Sequence, residues 1–199
     1  MRRTPTLPLA AIAALALVAV LAAPNAAKAD SKPDLVTVWN RTMIDALETA
    51  KTPPPPAMRI GAIVQSSVFD ALNGIERKYT PIHVQPAAPP GASREAAIVE
   101  AAYEALVALF PAQKATFDVQ LAASLAEIGG GPNDRSVQRG LAWGKQAADE
   151  ILVWRAGDGI SDMPPVYVPG GAPGDWAPTP PGLSTQPVFR QFANMTPWR

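Results

Sequence analysis

The chain has 199 residues, with 17 basic and 17 acidic side chains, 23 prolines, one histidine and no cysteine. Balanced charge argues against the basic face that nucleic-acid binding needs. The missing cysteines exclude a disulfide framework and the usual zinc sites, and the length suits one domain with its own core.

Residues 1–29 read as a secretory leader. Arg2 and Arg3 form a basic start, Leu9 to Ala23 an apolar run, and Ala27-Lys28-Ala29 a small-residue cleavage pattern. The alternative is a retained anchor, but the run is shorter than the roughly 20 apolar residues that span a bilayer. Cleavage before Asp30 predicts an exported protein, periplasmic or extracellular, with no stable membrane span. Losing Arg2, Arg3 and Lys28 leaves 14 basic and 17 acidic residues, a net charge of −3.

The remainder predicts an all-α fold: about five helices over residues 30–160, then a Pro-rich irregular tail over 161–199. Leu35 to about Lys51 is the first helix, with Leu35, Val38, Trp39, Thr42, Ile44 and Leu47 near one face. Pro53 to Pro56 break it, and a second helix is expected from Ala57 to Arg77 with an Ile60–Ile63–Val64–Val68 stripe. Asn73-Gly74 leaves its end uncertain. Residues 78–92 hold four prolines and read as a loop. Ser93 is the expected N-cap of a third helix, whose stripe runs from Ala96 through Val99, Ala102, Tyr103 and Leu106 to Phe110 before Pro111.

A fourth helix is expected from Ala112 to Ile128, closed by Gly129-Gly130-Gly131-Pro132. Asn133 or Asp134 caps a fifth, which runs to about Ala156. On that helix Gly140, Gly144 and Ala148 fall at successive fourth positions. Close approach of a neighbouring backbone or chance accounts for them equally well, since each mid-helix glycine costs about 1 kcal/mol against alanine. From Met163 to Arg199 nine prolines occur in 37 residues, so that tail is extended and must lie on something to be ordered.

Chemistry is sparse. His83 reads as a solvated loop histidine, and the Gly129–Gly131 run before a helix as a plain turn in preference to an anion site. Asp158 and Asp162 mimic a calcium loop, but no glutamate closes it, so Gly157-Asp158-Gly159 reads as a turn. Glu95, Glu100 and Glu104 read as a solvated face. No catalytic, cofactor or metal residue is assigned.

Several runs nevertheless resemble the N-terminal helical region of bacterial vanadium-dependent haloperoxidase homologues, in the type-2 phosphatidic-acid phosphatase superfamily. They are Met58 to Ile63, Val68 to Ile75 with Tyr79-Thr80-Pro81, Ala92-Ser93 with Glu95-Ala96-Ala97, and Ala101-Ala102-Tyr103 with Leu109-Phe110-Pro111. Arg155-Ala156-Gly157-Asp158-Gly159, Gly174 to Pro181 and Pro197-Trp198 continue the likeness in the same order. What the resemblance implies is a domain equivalent to the first half of such a protein.

Family members bind vanadate or phosphate in a later bundle, through a lysine with an Arg-Pro pair, a Pro-Ser-Gly-His stretch and a second histidine after Ser-Arg. None of these occurs here, so the resemblance implies no cofactor in this chain and no self-sufficient enzyme. Two readings follow. One is a truncated or split piece whose catalytic half is lost or separately encoded; the other is a stand-alone helical module that binds a partner or serves structurally. Apolar surface left by a missing half predicts self-association, a bound partner or poor solubility, with Tyr167, Trp176 and Trp198 near the contact.

Overall fold

The computed structural model describes residues 34–131 and 133–198, so the leader reading of residues 1–29 lies outside the described residues. The described residues form five α-helices: α1 Leu35–Thr49, α2 Pro54–Glu76, α3 Arg94–Leu109, α4 Lys114–Ile128 and α5 Arg135–Ala156. The described residues also contain short 3₁₀ turns at Pro111–Gln113 and Arg190–Ala193, and no strand. The all-α expectation therefore holds.

Local chemistry sets most of the boundaries. Asp34 caps α1 by accepting from the Val36 amide, and Ser93 caps α3 by accepting from that of Ala96. Asp134, one of the two expected candidates, caps α5 by accepting from Ser136 and Val137. Each cap satisfies amides that have no partner in the first turn.

The proline run behaves differently from expectation. α2 does not wait for Ala57 but begins at Pro54, so the run's later prolines form its first turn. Amides there have no helical partner to lose, and the ring presets φ. Asn73-Gly74 lies inside α2, which ends at Arg77 in the left-handed region with φ 55°. The Trp143 indole occupies the space above Gly74, where a Cβ would sit 2.2 Å from its ring. Trp143 Nε1 donates to the Ala71 carbonyl at 2.7 Å. The glycine is a seat for tryptophan.

α3 is the central helix, packed against α1, α2, α4 and α5. Its alanines at 96, 97, 101, 102 and 105 are all fully buried. Small side chains let the surrounding helices come close on several sides, wider than the single stripe expected. α5 takes the closest approach. A Cβ on Gly140 would lie 2.5 Å from the Ser93 carbonyl oxygen, and one on Gly144 2.4 Å from that of Ala97. Of the two explanations for the glycine spacing, close backbone approach is the one realised.

On α1, Trp39 is buried and its indole N–H donates to Ser124 of α4. Ile44, expected on the inner face, is 42% exposed, and Ala46 is buried in its stead. At 3.6 residues per turn Ala46, seven positions after Trp39, returns to the same face, whereas Ile44, five positions after it, falls about 140° away round the helix. Residues Asp34–Arg199 form one compact unit, so the tail belongs to the same body as the bundle.

Candidate functional site: a buried arginine–aspartate clamp

Two buried carboxylates stand out because burial of a charge is costly unless it is paired and hydrogen-bonded. Asp70, on α2, is 1% exposed. Its Oδ1 accepts from the Ile82 amide, and its Oδ2 from those of His83 and Val84, all at 2.8–2.9 Å. One turn on, Asn73 pairs with both main-chain groups of Tyr79. α2 thus pins the 78–92 loop through side chains that stand in for backbone partners.

Asp158 is the second. It sits in the turn after α5, 2% exposed, beside Arg155, which is 1% exposed. Arg59 Nε reaches Asp158 Oδ2 from α2 at 2.7 Å, across 99 positions of sequence. Arg155 Nε and Nη2 donate to the same oxygen, and Oδ1 accepts from the Ile160 amide. Burial pushes the Asp158 carboxyl up. The Arg59 hydrogen bond, the Ile160 amide and the charges of Arg59 and Arg155 outweigh it, holding the group below the ordinary aspartate value.

The clamp also holds the tail. Arg155 Nη2 donates to the Thr196 carbonyl, and the Thr196 amide donates to the Asp158 carbonyl. The Arg155 guanidinium lies 4.3 Å from the Trp198 ring centroid and 4.9 Å from that of Trp154. Trp154 meets Trp198 edge-on at 5.1 Å and stacks on His83 at 4.6 Å, with 5° between the planes. His83 is therefore not a solvated loop side chain: it forms one layer of an aromatic stack. Arg59 contributes once more by donating from Nη2 to the Arg155 carbonyl, which closes the C-terminus of α5.

Both arginines of the clamp are engaged with Asp158. Asp158 offsets one of the two guanidinium charges, Arg155 Nη1 is buried without a hydrogen-bond partner, and Trp154 covers one face of the single imidazole. The α5 N-terminus is likewise taken, since Asp134 occupies its first amides and crowds Gly130. Among the described residues no group of three or more His, Cys, Asp or Glu side chains is placed to hold a metal ion. None of the described helices is long and apolar enough to cross a membrane.

Compared with protein families, characterised proteins and solved structures, the chain matches none. The likeness to haloperoxidase homologues rests on its residues alone.

Of the three aromatics expected near a contact, Tyr167 and Trp176 pack edge-on against each other at 5.8 Å. Trp198 joins the clamp. The structure thus gives all three intramolecular contacts, in two separate places. Two of the three glutamates of α3 depart from the expected solvated face. Glu95 is exposed, but Glu104 is half-buried and faces Lys145 at 3.4 Å, and Glu100 is half-buried against Gly144. Burial, with the nearby Glu104 charge and only partial relief from Lys145, pushes the Glu100 carboxyl up to about 7.

The consequence has a definite sign. An acid whose folded value lies above its unfolded one stabilises the fold while protonated. That contribution is complete below about pH 4.5 and is lost as pH rises through about 7. Glu100→Gln is expected to be more stable than wild type at pH 8, by on the order of 2 kcal/mol, with the difference vanishing near pH 4.5. Urea unfolding of both proteins across that range measures it. A constant difference would show that Glu100 is solvated.

Proposed function

We propose that this chain is an exported helical domain equivalent to the first half of a vanadium haloperoxidase- or phosphatase-like protein. In this reading it is not catalytic alone, and vanadate or phosphate would be held by a separately supplied catalytic bundle. One observation carries it: the residues within the resembling runs are spent on architecture. Arg59, Asp70, Asn73, Arg155 and Asp158 all fall in those runs, and each fixes a loop, a helix end or the tail.

The rival reading is a stand-alone secreted module with a binding or structural role. It draws support from the clamp, which seats Thr196 and Trp198 on the chain's own bundle and so satisfies that face without a second body. A downstream reading frame encoding Arg-Pro and Pro-Ser-Gly-His would favour the first reading over this one.

The purified chain is expected neither to brominate a reporter with peroxide and vanadate nor to hydrolyse a phosphate monoester. His83→Ala is expected to leave both assays at background. Vanadate-dependent turnover that disappears in that variant would overturn the proposal, because it would make His83 a catalytic group and not a stacking one.

A further inference from the structure

The tail contains an extended segment with one edge closed and one edge open. The Tyr167 N–H donates to Gln186 Oε1 at 2.7 Å, and the Tyr167 carbonyl accepts from Gln186 Nε2 at 2.9 Å. A single planar amide can take both groups only where they point the same way, which is extended backbone. Arg190 donates to the Pro165 carbonyl, two residues earlier. Residues two apart share an edge in extended chain, so positions 165 and 167 are closed by residues 186 and 190.

Val166, between them, and Val168, just beyond, face the other way. Neither Val166 nor Val168 has a partner for its main-chain N–H or C=O among the described residues. The two residues are 69% and 81% exposed, whereas Tyr167 is turned onto Trp176. Open edges with exposed β-branched side chains are templates for another strand.

We propose that this open edge is where two copies of the chain associate, antiparallel, about a two-fold axis through Tyr167. The occupant follows from the sequence: Pro165-Val166-Tyr167-Val168-Pro169 reads identically in both directions. A two-fold contact must be self-complementary. Here the axis sets Val166 against Val168 of the second copy, and Val168 against its Val166. Each pair exchanges two N–H···O=C bonds and brings two β-branched side chains together on one face. The prolines at 165 and 169 stand where an N–H would point to the closed edge, so they remove no donor from the open one. They also keep the strand short, which places the contact among weak, concentration-dependent ones. The inference is independent of the proposed function.

Sedimentation velocity of the purified protein, at concentrations up to about 1 mM, tests it together with amide NMR over the same range. The sedimentation coefficient is expected to rise with concentration while the Val166 and Val168 amide signals shift. Val166→Pro removes one donor from the open edge, and Val166→Lys with Val168→Lys sets like charges across the axis. Both variants are expected to sediment as monomers with unchanged far-ultraviolet circular dichroism. A wild-type protein that stays monomeric throughout overturns the proposal and leaves the edge to a strand of different sequence. Association that persists in both variants overturns it as well, by placing the contact elsewhere.

Discussion

Asp158→Ala is expected to lose about 3–5 kcal/mol of folding stability, the cost of breaking a buried ion pair by removing one partner. Two guanidiniums would be left facing each other, one of them 1% exposed, with nothing to accept from Arg155 Nε. The loss should not stay local. Arg155 carries the Thr196 carbonyl and the Trp198 ring, so residues 190–198 should become the first site of proteolysis.

Acid provides a second readout. The folded Asp158 value is lowered from 3.8, so its contribution is present above that pH and is lost as pH falls through the lower folded value. The variant lacks this acid limb. Urea unfolding at pH 7 and pH 3, with limited trypsin digestion, measures all three effects. A cost below about 1 kcal/mol at pH 7 would mean that Asp158 sits in an ordinary solvated turn.

Gly144→Leu is the second large effect. The α3–α5 crossing leaves no room for a side chain: a Cβ at 144 would meet the Ala97 carbonyl oxygen at 2.4 Å, Glu100 Cβ at 3.0 Å and the Ala101 amide nitrogen at 3.1 Å. Two of those atoms are backbone of the central helix, so α5 itself must move. Overpacking of this kind costs about 1–3 kcal/mol even for modest additions, and leucine should reach or exceed the top of that range.

Gly61→Ala supplies the contrast. Gly61 lies inside α2 with nothing within 4 Å of its missing Cβ. There the same kind of change should stabilise by about 0.5–1 kcal/mol, because only helix propensity acts. Thermal unfolding of Gly144→Ala, Gly144→Leu and Gly61→Ala decides the matter. If Gly144→Ala gains stability as Gly61→Ala does, the close crossing is refuted.

Much of the fold was legible in residue order, since the signals concerned are local. Ser93 and Asp134 stand where short polar side chains can reach amides two or three residues on, and both cap as expected. The apolar spacing of α2, α3 and α5 reports a helix whatever the helix packs against. Even the error at the proline run was an error about a boundary: Pro54 to Pro56 open α2 where they were expected to precede it.

What composition and spacing could not reveal was which distant residues meet. Gly157-Asp158-Gly159 has the look of a solvated turn, and nothing near it announces Arg59, 99 positions away. His83 sits in a Pro-rich loop, yet Trp154 of another helix covers its ring. Glu100 shares its helix with Glu95 and Glu104 at surface-like spacing, but its burial depends on how closely Gly144 lets α5 approach. Helix identity follows from interactions within one or two turns, which the sequence lists in order. Charge burial, aromatic stacking and helix approach depend on the crossing of separate helices, and so they exist only once the bundle has closed around α3.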